Sequence, residues 1–194
     1  AHYSFEKAAL LMGLELRKAP LLSNFQVDTT ALTNLIDHNT IAVVGIAGTS
    51  ALGVVDPIPE LAQIAQEHHI HFHVDGAFGG LVLPYLADLG VYHGPQFDFR
   101  VSGIDTFTVD PHKMGLNVSG TGGILINPTR MNLHTFEIPY LAGGGVESFN
   151  ILGTRPGAAA ISFWALIHAL GFSGFRDIVK NCWETTQLAY QKVT

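Results

Sequence analysis

The amino-acid sequence predicts an α/β fold with a mainly parallel sheet flanked by helices. Three observations support this fold class. Residues 40–46 form a continuous apolar run, which is typical of a buried parallel strand. Segments with strand and helix character alternate along the chain, as they do in βαβ units with right-handed crossovers. Polar, glycine-rich loops follow three of the predicted strands, at the sheet edge where such folds bind ligands.

Two helices and a strand are predicted before the apolar run. The pattern over residues 4–12 predicts a short helix, and Gly13 is suited to end it. Residues 14–20 alternate apolar and charged side chains, which predicts a half-buried strand. Asp28 is a candidate N-cap for a helix over residues 30–37.

Strands and helices continue to alternate through the middle of the chain. A helix is predicted over residues 59–67, with a proline in its first turn. Residues 70–74 predict the next strand, and the run 78–87 is expected to be helical beyond its glycines. Strand character returns at residues 106–109 and at residues 123–127.

The remaining segments complete the expected architecture. An apolar helix is predicted over residues 157–170 and a more polar one over residues 174–193. Residues 91–102 are predicted to be a surface insertion. Residues 140–150, which contain three successive glycines, are predicted to form a mobile loop.

Composition limits the classes of function. Of the 194 residues, 47% are hydrophobic, which is enough for one sizeable core. The net charge of -6 argues against a nucleic-acid partner, because no basic stripe is present to neutralise phosphates. Cys182 is the only cysteine, so neither a disulfide framework nor a cysteine-based metal site is expected. With no signal peptide and no apolar run of membrane-spanning length recognised, a cytoplasmic location and no membrane partner are expected.

The low content of charged residues, 13%, is unusual for a self-contained soluble domain. The sequence also lacks an initiator methionine and opens on a helix-like segment. We therefore expect an internal fragment of a larger protein, or a subunit whose surface is buried against a partner.

Three polar loops are expected to converge at one edge of the sheet. They are residues 48–50, residues 75–77 and residues 110–113, and each follows a predicted strand. The third loop carries Lys113 directly after a buried strand. Position alone favours a lysine that extends to the surface, because lysine is rarely buried. The alternative is an amine that condenses with a carbonyl group.

Other residues near this edge also have two interpretations. Asp75 is either a capping residue or a buried carboxylate that pairs with a cation such as a protonated pyridine nitrogen. His2 is either a surface residue or an imidazole stacked on an aromatic cofactor. His112 is either a loop histidine or a donor to a phosphate or substrate. Arg155 is either a structural ion-pair partner or the binding group for a carboxylate or phosphate.

Thr49 and Ser50 are either ordinary turn residues or hydroxyl donors to a cofactor ring oxygen or phosphate. A histidine cluster precedes Asp75 in the sequence. Three of its members, His69, His71 and His73, alternate along one predicted strand, and no cysteine or carboxylate joins them at metal-ligand spacing, so no metal is expected. The cluster consists of His68, His69, His71 and His73.

Read together, five ordered motifs resemble the group II pyridoxal-phosphate-dependent amino acid decarboxylases. The resemblance is closest to the tyrosine/aspartate decarboxylase branch, with sphingosine phosphate lyases as more distant relatives, and it runs through nearly the whole chain. The motifs are His2-Tyr3-Ser4, Gly48 to Gly53 with Asp56-Pro57-Ile58, His73 to Gly80, Asp110 to Gly115, and Gly153-Thr154-Arg155-Pro156-Gly157.

The resemblance implies the large domain of a fold type I enzyme that binds pyridoxal phosphate, and it assigns roles to residues. Lys113 would form the Schiff base with the cofactor, and Asp75 would face the pyridine nitrogen. His2 would stack on the cofactor ring and Ala77 would pack on the opposite face. Further cofactor contacts would come from Thr49, Ser50, Asp110 and His112.

The implied activity is α-decarboxylation of an L-amino acid of the tyrosine, aspartate or glutamate class, with release of carbon dioxide. Tyr140 and His112 are competing candidates for the group that protonates the carbanion, and Arg155 for substrate binding. The alternatives are a carbon–carbon lyase of the sphingosine phosphate lyase type and a non-catalytic scaffolding subunit. Residues 1–194 are expected to be a large domain without the family's upstream phosphate-binding segment and small C-terminal domain, acting as a homodimer with its site at the interface.

Overall fold

A four-stranded sheet lies at the centre of the structure. The computed structural model describes residues 1–130, 136–140, 143–148 and 152–193. The spatial order of the strands follows the sequence: β1 (Ala42–Ile46), β2 (His71–Asp75), β3 (Thr106–Val109) and β4 (Gly123–Ile126). The β1–β2 and β2–β3 pairs are parallel, and β4 runs antiparallel to β3. The mainly parallel sheet predicted from the sequence is therefore confirmed.

Helices connect and cover the strands. In the described ranges they are α1 (Ser4–Met12), α2 (Thr29–Thr33), α3 (Ile58–Glu67), α4 (Leu83–Asp88) and α5 (Ala158–Val193), with a 3-10 turn at Gly79–Leu81. Gly13 ends α1 with a φ of 67°, which glycine adopts without strain. Asp28 caps α2 by accepting a hydrogen bond from the Ala31 amide over 2.9 Å. Both predicted helix signals are confirmed, although α2 is shorter than predicted.

The hydrophobic core lies between α3 and one face of the sheet. Ile58 and Leu61 of α3 are fully buried in the same cluster as Phe72 and Val74 of β2. A Cβ at Gly45 of β1 would lie 2.8 Å from both α3 side chains. The helix therefore packs directly on the β1 backbone, because Gly45 has no side chain. This packing fixes the position of the strand ends that lead to the polar loops.

The opposite side of β2 carries polar residues, because side chains alternate between the two faces of a strand. His73 bonds to the Thr106 hydroxyl through Nδ1 over 2.8 Å and to the Thr108 hydroxyl through Nε2 over 2.9 Å. His71 Nε2 lies 2.9 Å from the same Thr106 oxygen. The alternating histidines thus pair with threonines of the neighbouring strand. Within the described ranges, no group of three metal-ligating side chains is placed to hold an ion.

Residues 14–20 do not form the predicted strand. They are mostly exposed, and the nearest strand pairing is an isolated bridge between Leu21 and Val27. Arg17 holds the segment through its guanidinium group, which donates to the Leu35 carbonyl over 2.9 Å and pairs with Asp37 at 2.8 Å. The alternating pattern was misleading because these side-chain contacts, and not a strand ladder, fix the backbone.

The predicted surface insertion at residues 91–102 is partly a core segment. The side chains of Phe97 and Val101 are buried in the main cluster, and Tyr92 packs edge-on against Phe97 with ring centroids 5.8 Å apart. The insertion prediction was therefore wrong for these apolar positions. They pack in the main hydrophobic cluster although the segment has no regular secondary structure.

A hairpin occupies part of the stretch predicted to be a mobile loop. Strands β5 (Phe136–Ile138) and β6 (Val146–Ser148) pair in antiparallel fashion. Tyr140 lies in the connection between them and is 84% exposed. Residues 141–142 and 149–150 of the predicted loop lie outside the described part of the chain, and its mobility stays a prediction.

Helix α5 contains a break at Gly171, where φ is 59° and ψ is -172°. The break separates the two helices predicted at residues 157–170 and 174–193. Phe172 and Phe175, beyond the break, contact Tyr85 of α4 with ring centroids 5.1 and 6.1 Å apart. By length and composition alone α5 could cross a membrane, which corrects the expectation that the chain has no such run; core helices of soluble proteins meet the same criterion.

Candidate active site

The three polar loops meet at the carboxyl edge of the parallel strands. A Cβ at Gly48 would lie 3.0 Å from the Cα of Gly79, so the loops after β1 and β2 touch through their backbones. The Asp110 amide donates to the Ala77 carbonyl over 3.2 Å, which joins the loops after β2 and β3. The predicted convergence is therefore present, and it depends on glycines at the two closest backbone positions.

Lys113 lies on a tight turn directly after β3. Its amide donates to the Asp110 carbonyl over 3.0 Å, and its side-chain amine lies 2.9 Å from Asp110 Oδ2. The lysine side chain is 30% exposed and the aspartate side chain 16%. Gly115 closes the turn against the backbone of Pro111, where a Cβ would come within 2.7 Å. The amine is thus held at the loop junction and does not extend freely into solvent.

Asp75 is the last residue of β2 and is 8% exposed. Its Oδ1 accepts a hydrogen bond from the Ala77 amide over 3.1 Å, which matches the capping interpretation. Among the described residues it forms no ion pair. A buried carboxylate is costly without a compensating cation or further hydrogen bonds. The site therefore satisfies one oxygen locally and leaves capacity to bind a positively charged group.

Gly76 is required by the side chain of Phe107. A Cβ at this position would overlap the Phe107 ring and lie 3.0 Å from the Thr108 carbonyl oxygen. Phe107 is buried in the core below the loop. The core residue therefore leaves no room for a side chain at position 76.

The ring of His112 is tied to the turn at Thr121. The His112 amide donates to the Thr121 carbonyl over 3.2 Å, and His112 Nδ1 lies 2.7 Å from the same oxygen. A carbonyl oxygen can only accept, so Nδ1 carries a proton and, in the neutral ring, Nε2 carries the lone pair. Within the described ranges Nε2 has no hydrogen-bond partner. His112 can therefore accept a proton at Nε2.

The loop after β1 is closed by Thr49. Its hydroxyl accepts a hydrogen bond from the Val54 amide over 3.1 Å, and its amide donates to the Val54 carbonyl over 2.9 Å. This agrees with the interpretation of Thr49 as a turn residue, although its hydroxyl can still donate. Ser50, beside it, is exposed.

Burial lowers the pKa of His73, and the charge of His71 lowers it further, whereas the Asp75 carboxylate opposes the shift. The ring is therefore biased toward the neutral form, which donates at one nitrogen and accepts at the other. That form suits its two threonine partners. The strand leading to Asp75 is thus lined on this side by hydrogen bonds between His73 and two threonines.

His2 lies at the start of α1 and is exposed. Its Nδ1 is 2.9 Å from the Ser4 hydroxyl, and its ring centroid is 4.3 Å from that of Tyr3. Phe5, one turn along, contacts His73 with ring centroids 6.0 Å apart. The first turn of α1 therefore lies against the polar side of β2, while His2 itself makes local contacts.

Two other predicted residues lie apart from this arrangement. Arg155 is exposed and donates to the Leu152 carbonyl over 2.7 Å. Tyr140 is exposed on the hairpin connection. In the described part of the chain, no hydrogen bond or ion pair joins either residue to Lys113 or Asp75.

Two residues that support the site were not identified from the sequence. Asn117 links the lysine loop to α5 through its side chain. Asp56 is buried and accepts from the amides of Val27 and Ile46 over 3.0 and 2.9 Å. Asp56 belongs to the Asp56-Pro57-Ile58 motif named above, but nothing in the residue pattern indicated its hydrogen-bond partners. Asn117 gave no sequence signal, because its contacts with α5 come from residues more than forty positions away.

Comparison with known proteins places the chain in a family. It matches the family described as the pyridoxal-dependent decarboxylase conserved domain over residues 1–194. It is 46% identical over 188 residues to a probable L-aspartate decarboxylase of Pyrococcus abyssi, covering 96% of this chain and 49% of that protein. It is 40% identical over 194 residues to a probable L-tyrosine/L-aspartate decarboxylase of Methanocella arvoryzae, covering 100% of this chain and 50% of that protein. The chain thus spans about half the length of these relatives.

Solved structures show the same fold. A sphingosine-1-phosphate lyase of Burkholderia pseudomallei superposes with a TM-score of 0.86 at 34% identity, covering 95% of this chain and 43% of that chain. A glutamate decarboxylase of Lactobacillus brevis superposes with a TM-score of 0.79 at 22% identity, covering 93% and 42%, and shows the fold alone. The fold type I class implied by the sequence is confirmed, and the cofactor that the family uses is pyridoxal phosphate. By its sequence, its fold and the residues at its loop junction, this chain belongs to the pyridoxal-dependent decarboxylase family.

Proposed function

We propose that this chain forms the cofactor site of an α-decarboxylase that acts on an L-amino acid of the tyrosine, aspartate or glutamate class. The observation that carries the proposal is the placement of Lys113. The loop that holds this amine is hydrogen-bonded to the loop that directly follows the buried Asp75 carboxylate. An amine and a carboxylate on adjoining loops are the two groups that pyridoxal phosphate needs for its aldehyde and its pyridine nitrogen.

The residues present fit the cofactor. Asp75 has capacity for a cation beyond its one hydrogen bond to the Ala77 amide. Gly76 and Ala77 offer a surface with little side chain, against which a flat ring can approach the backbone. Lys113 is neither deeply buried nor fully exposed, so it can reach a ligand at the loop junction.

Each residue has a separate task in the proposed reaction. When bound, the cofactor supplies an electron sink for the carbanion that remains after carbon dioxide leaves. Asp75 would hold a proton on the pyridine nitrogen, because a carboxylate there favours the charged form. Lys113 would anchor the cofactor and release it when the substrate amine takes its place. His112 would move a proton through Nε2, with Tyr140 as the competing proton donor.

The remaining contacts belong to the same proposal. His2 would cover one face of the ring and Ala77 the other. Arg155 would bind a substrate carboxylate, since its planar guanidinium group fits two oxygens. The cofactor's polar groups would be held by Thr49, Ser50, Asp110 and His112.

The substrate class and the assembly are also proposed. L-aspartate, L-tyrosine and L-glutamate are named for relatives at 40–46% identity, and these support an amino acid as substrate. Because the chain spans about half the length of these relatives, we propose that the phosphate site is completed by further chain segments or a second subunit. A cytoplasmic homodimer with its site at the interface is part of this proposal.

The test is to trap the cofactor and identify the lysine that holds it. Pyridoxal phosphate is added to the purified protein, borohydride reduces the adduct, and peptide mass spectrometry maps the modified residue. We expect modification of Lys113 and none in a Lys113→Arg variant, which keeps the charge but cannot condense. Lys180→Arg is the matched control, since Lys180 is an exposed lysine near Glu184 on α5. A full-length, folded protein that gains no adduct at Lys113 would contradict the proposal.

A second candidate function is carbon–carbon cleavage of a phosphorylated amino alcohol. It is favoured by the superposition on the sphingosine-1-phosphate lyase at 34% identity. Product analysis separates the two reactions: a panel of L-amino acids releases carbon dioxide and an amine in the first, and a phosphorylated amino alcohol releases an aldehyde in the second.

A Lys113→Ala variant that keeps full biological function would instead favour a non-catalytic scaffolding subunit.

A further inference from the structure

Asn117 joins the lysine loop, residues 110–115, to the first turn of α5. Its backbone amide donates to the Pro111 carbonyl over 3.0 Å. Its side-chain Nδ2 donates to the Ala159 carbonyl over 2.9 Å, and its Oδ1 accepts from the Ser162 hydroxyl over 2.6 Å. One side chain therefore connects the loop to a helix that begins more than forty residues later.

The orientation of the Asn117 amide follows from its partners. The Ala159 carbonyl can only accept, so the nitrogen must face it and the oxygen must face Ser162. The same nitrogen lies 3.2 Å from the Thr121 hydroxyl. That hydroxyl donates its own proton to the Val118 carbonyl over 2.8 Å, so it accepts from Asn117. The amide nitrogen thus donates to two acceptors, the Ala159 carbonyl and the Thr121 hydroxyl, and the amide oxygen accepts from Ser162.

Thr121 carries this constraint to the histidine. Its carbonyl accepts from both the backbone amide and Nδ1 of His112, at 3.2 and 2.7 Å. Leu116, between the lysine and Asn117, has a φ of 56°, a conformation that costs energy for a leucine. The hydrogen bonds of Asn117 to the Pro111 carbonyl and to the Thr121 hydroxyl lie on either side of this position and help to keep the backbone in this conformation.

We infer that Asn117 is a positioning residue that, by holding Thr121 against His112, fixes the histidine ring with its proton on Nδ1 and its lone pair on Nε2. Asn117 does not itself need to touch a cofactor or substrate. Its effect on catalysis rests on the function proposed above, in which His112 moves a proton beside Lys113. Its effect on the histidine tautomer is independent of that function.

The test measures the His112 tautomer by NMR of the full chain with ¹⁵N-labelled histidine and no added cofactor. The His112 signals are assigned among the ten histidines by comparison with a His112→Gln variant. Asn117→Asp keeps the size of the side chain but replaces the donor that faces Ala159 and Thr121 with an acceptor. In the neutral ring we expect the ratio of the Nδ1–H to the Nε2–H form to fall roughly two- to tenfold, the range that corresponds to losing one neutral hydrogen bond.

Asn127→Asp is the matched control. Asn127 also donates its side-chain amide to a backbone carbonyl, that of Ile104, over 3.2 Å, and it lies at the end of β4. It should lose thermal stability without changing the His112 ratio. If Asn117→Asp behaves in the same way, with lower stability and an unchanged ratio, its role is structural only and the inference is overturned.

A second variant keeps the test decisive if Asn117→Asp does not fold. Thr121→Val removes the hydroxyl that Asn117 contacts but keeps the carbonyl that His112 contacts, and it should shift the ratio in the same direction. An unchanged ratio in Thr121→Val would overturn the inference. Failure of the proposed function is seen separately, as a missing Lys113 adduct in the unmutated protein.

Discussion

The amine of Lys113 lies 2.9 Å from Oδ2 of Asp110, three residues earlier on the same turn. The Asp110 backbone amide at the same time donates to the Ala77 carbonyl of the neighbouring loop. One residue therefore both positions the lysine side chain and joins its loop to the loop that follows Asp75. The ion pair must open before the amine can condense with a carbonyl group, since a paired ammonium is not nucleophilic.

Asp110→Asn should speed the reaction of Lys113 with pyridoxal phosphate. The variant removes the negative charge and keeps the backbone hydrogen bond to Ala77. We expect the reaction rate to increase by up to roughly fivefold, because a partly exposed ion pair contributes at most about 1 kcal/mol of stabilisation. Stopped-flow absorbance of the lysine-bound cofactor measures the rate. Asp98→Asn, which opens the exposed pair with Arg100, is the control and should leave the rate unchanged; a slower reaction in Asp110→Asn would instead assign the carboxylate a helping role.

Gly76→Ala should destabilise the protein by about 1–3 kcal/mol, the usual cost of forcing extra volume into a packed site. The new Cβ would overlap the ring of Phe107. Urea unfolding measures the change. Gly153→Ala, where no atom lies within 4 Å of the new Cβ, should change stability by less than about 1 kcal/mol. The double variant Gly76→Ala with Phe107→Leu should be less destabilised than the sum of its parts; strict additivity would show that the ring is not the cause.

Asp56→Ala should lower the free energy of unfolding by about 2–4 kcal/mol, because it leaves the buried amide of Val27 and the partly buried amide of Ile46 without an acceptor. Asp56→Asn retains one side-chain oxygen and should cost about half as much. Asp28→Ala, which frees a single helix-cap amide, is a comparison expected at about 1 kcal/mol. Equal losses for Asp56→Ala and Asp28→Ala would show that only one of the two Asp56 bonds contributes.

Stability should fall as the pH drops below the ordinary histidine pKa of 6.5, and His73 should account for part of this loss. Burial lowers the pKa of His73 in the folded protein, so below pH 6.5 the unfolded chain binds the proton first and gains stability. The contribution is complete above 6.5 and is lost as the pH falls toward the folded-state value. His73→Gln should flatten the pH dependence of the unfolding free energy between those limits. A variant with the slope of the parent would place the linkage on other groups.

The pattern of apolar residues was sufficient to predict the sheet. Strand β3 has the predicted bounds, and β1 and β2 lie within one or two residues of theirs. Only β1 is a continuous apolar run; β2 and β3 alternate apolar residues with histidine or threonine, which is the period-2 pattern of a strand. Residues 14–20 show the limit of this reasoning. Alternation is necessary for a half-buried strand, but only a neighbouring strand makes the ladder, and there Arg17 takes its contacts from Leu35 and Asp37.

At the site, the sequence identified the residues with chemical reactivity, and the structure supplied those that hold them. Lys113, Asp75 and His112 could be selected because their residue types and strand-end positions have direct chemical meaning. Asn117 could not, since the partners that orient its side chain include Ala159 and Ser162, which are brought to it by the fold.

By itself, the sequence determined the fold class, the family and the amine at its centre, because apolar periodicity and ordered motifs are local properties of the chain. Only the tertiary structure decided that Phe107 excludes a side chain at Gly76, that Asp110 pairs with Lys113, and that Thr121 fixes the tautomer of His112. These are relationships of distance and direction between side chains and backbone groups, some brought together only when the loops fold against one another. Residue identity specifies which hydrogen bonds are possible, and folding selects the ones that form.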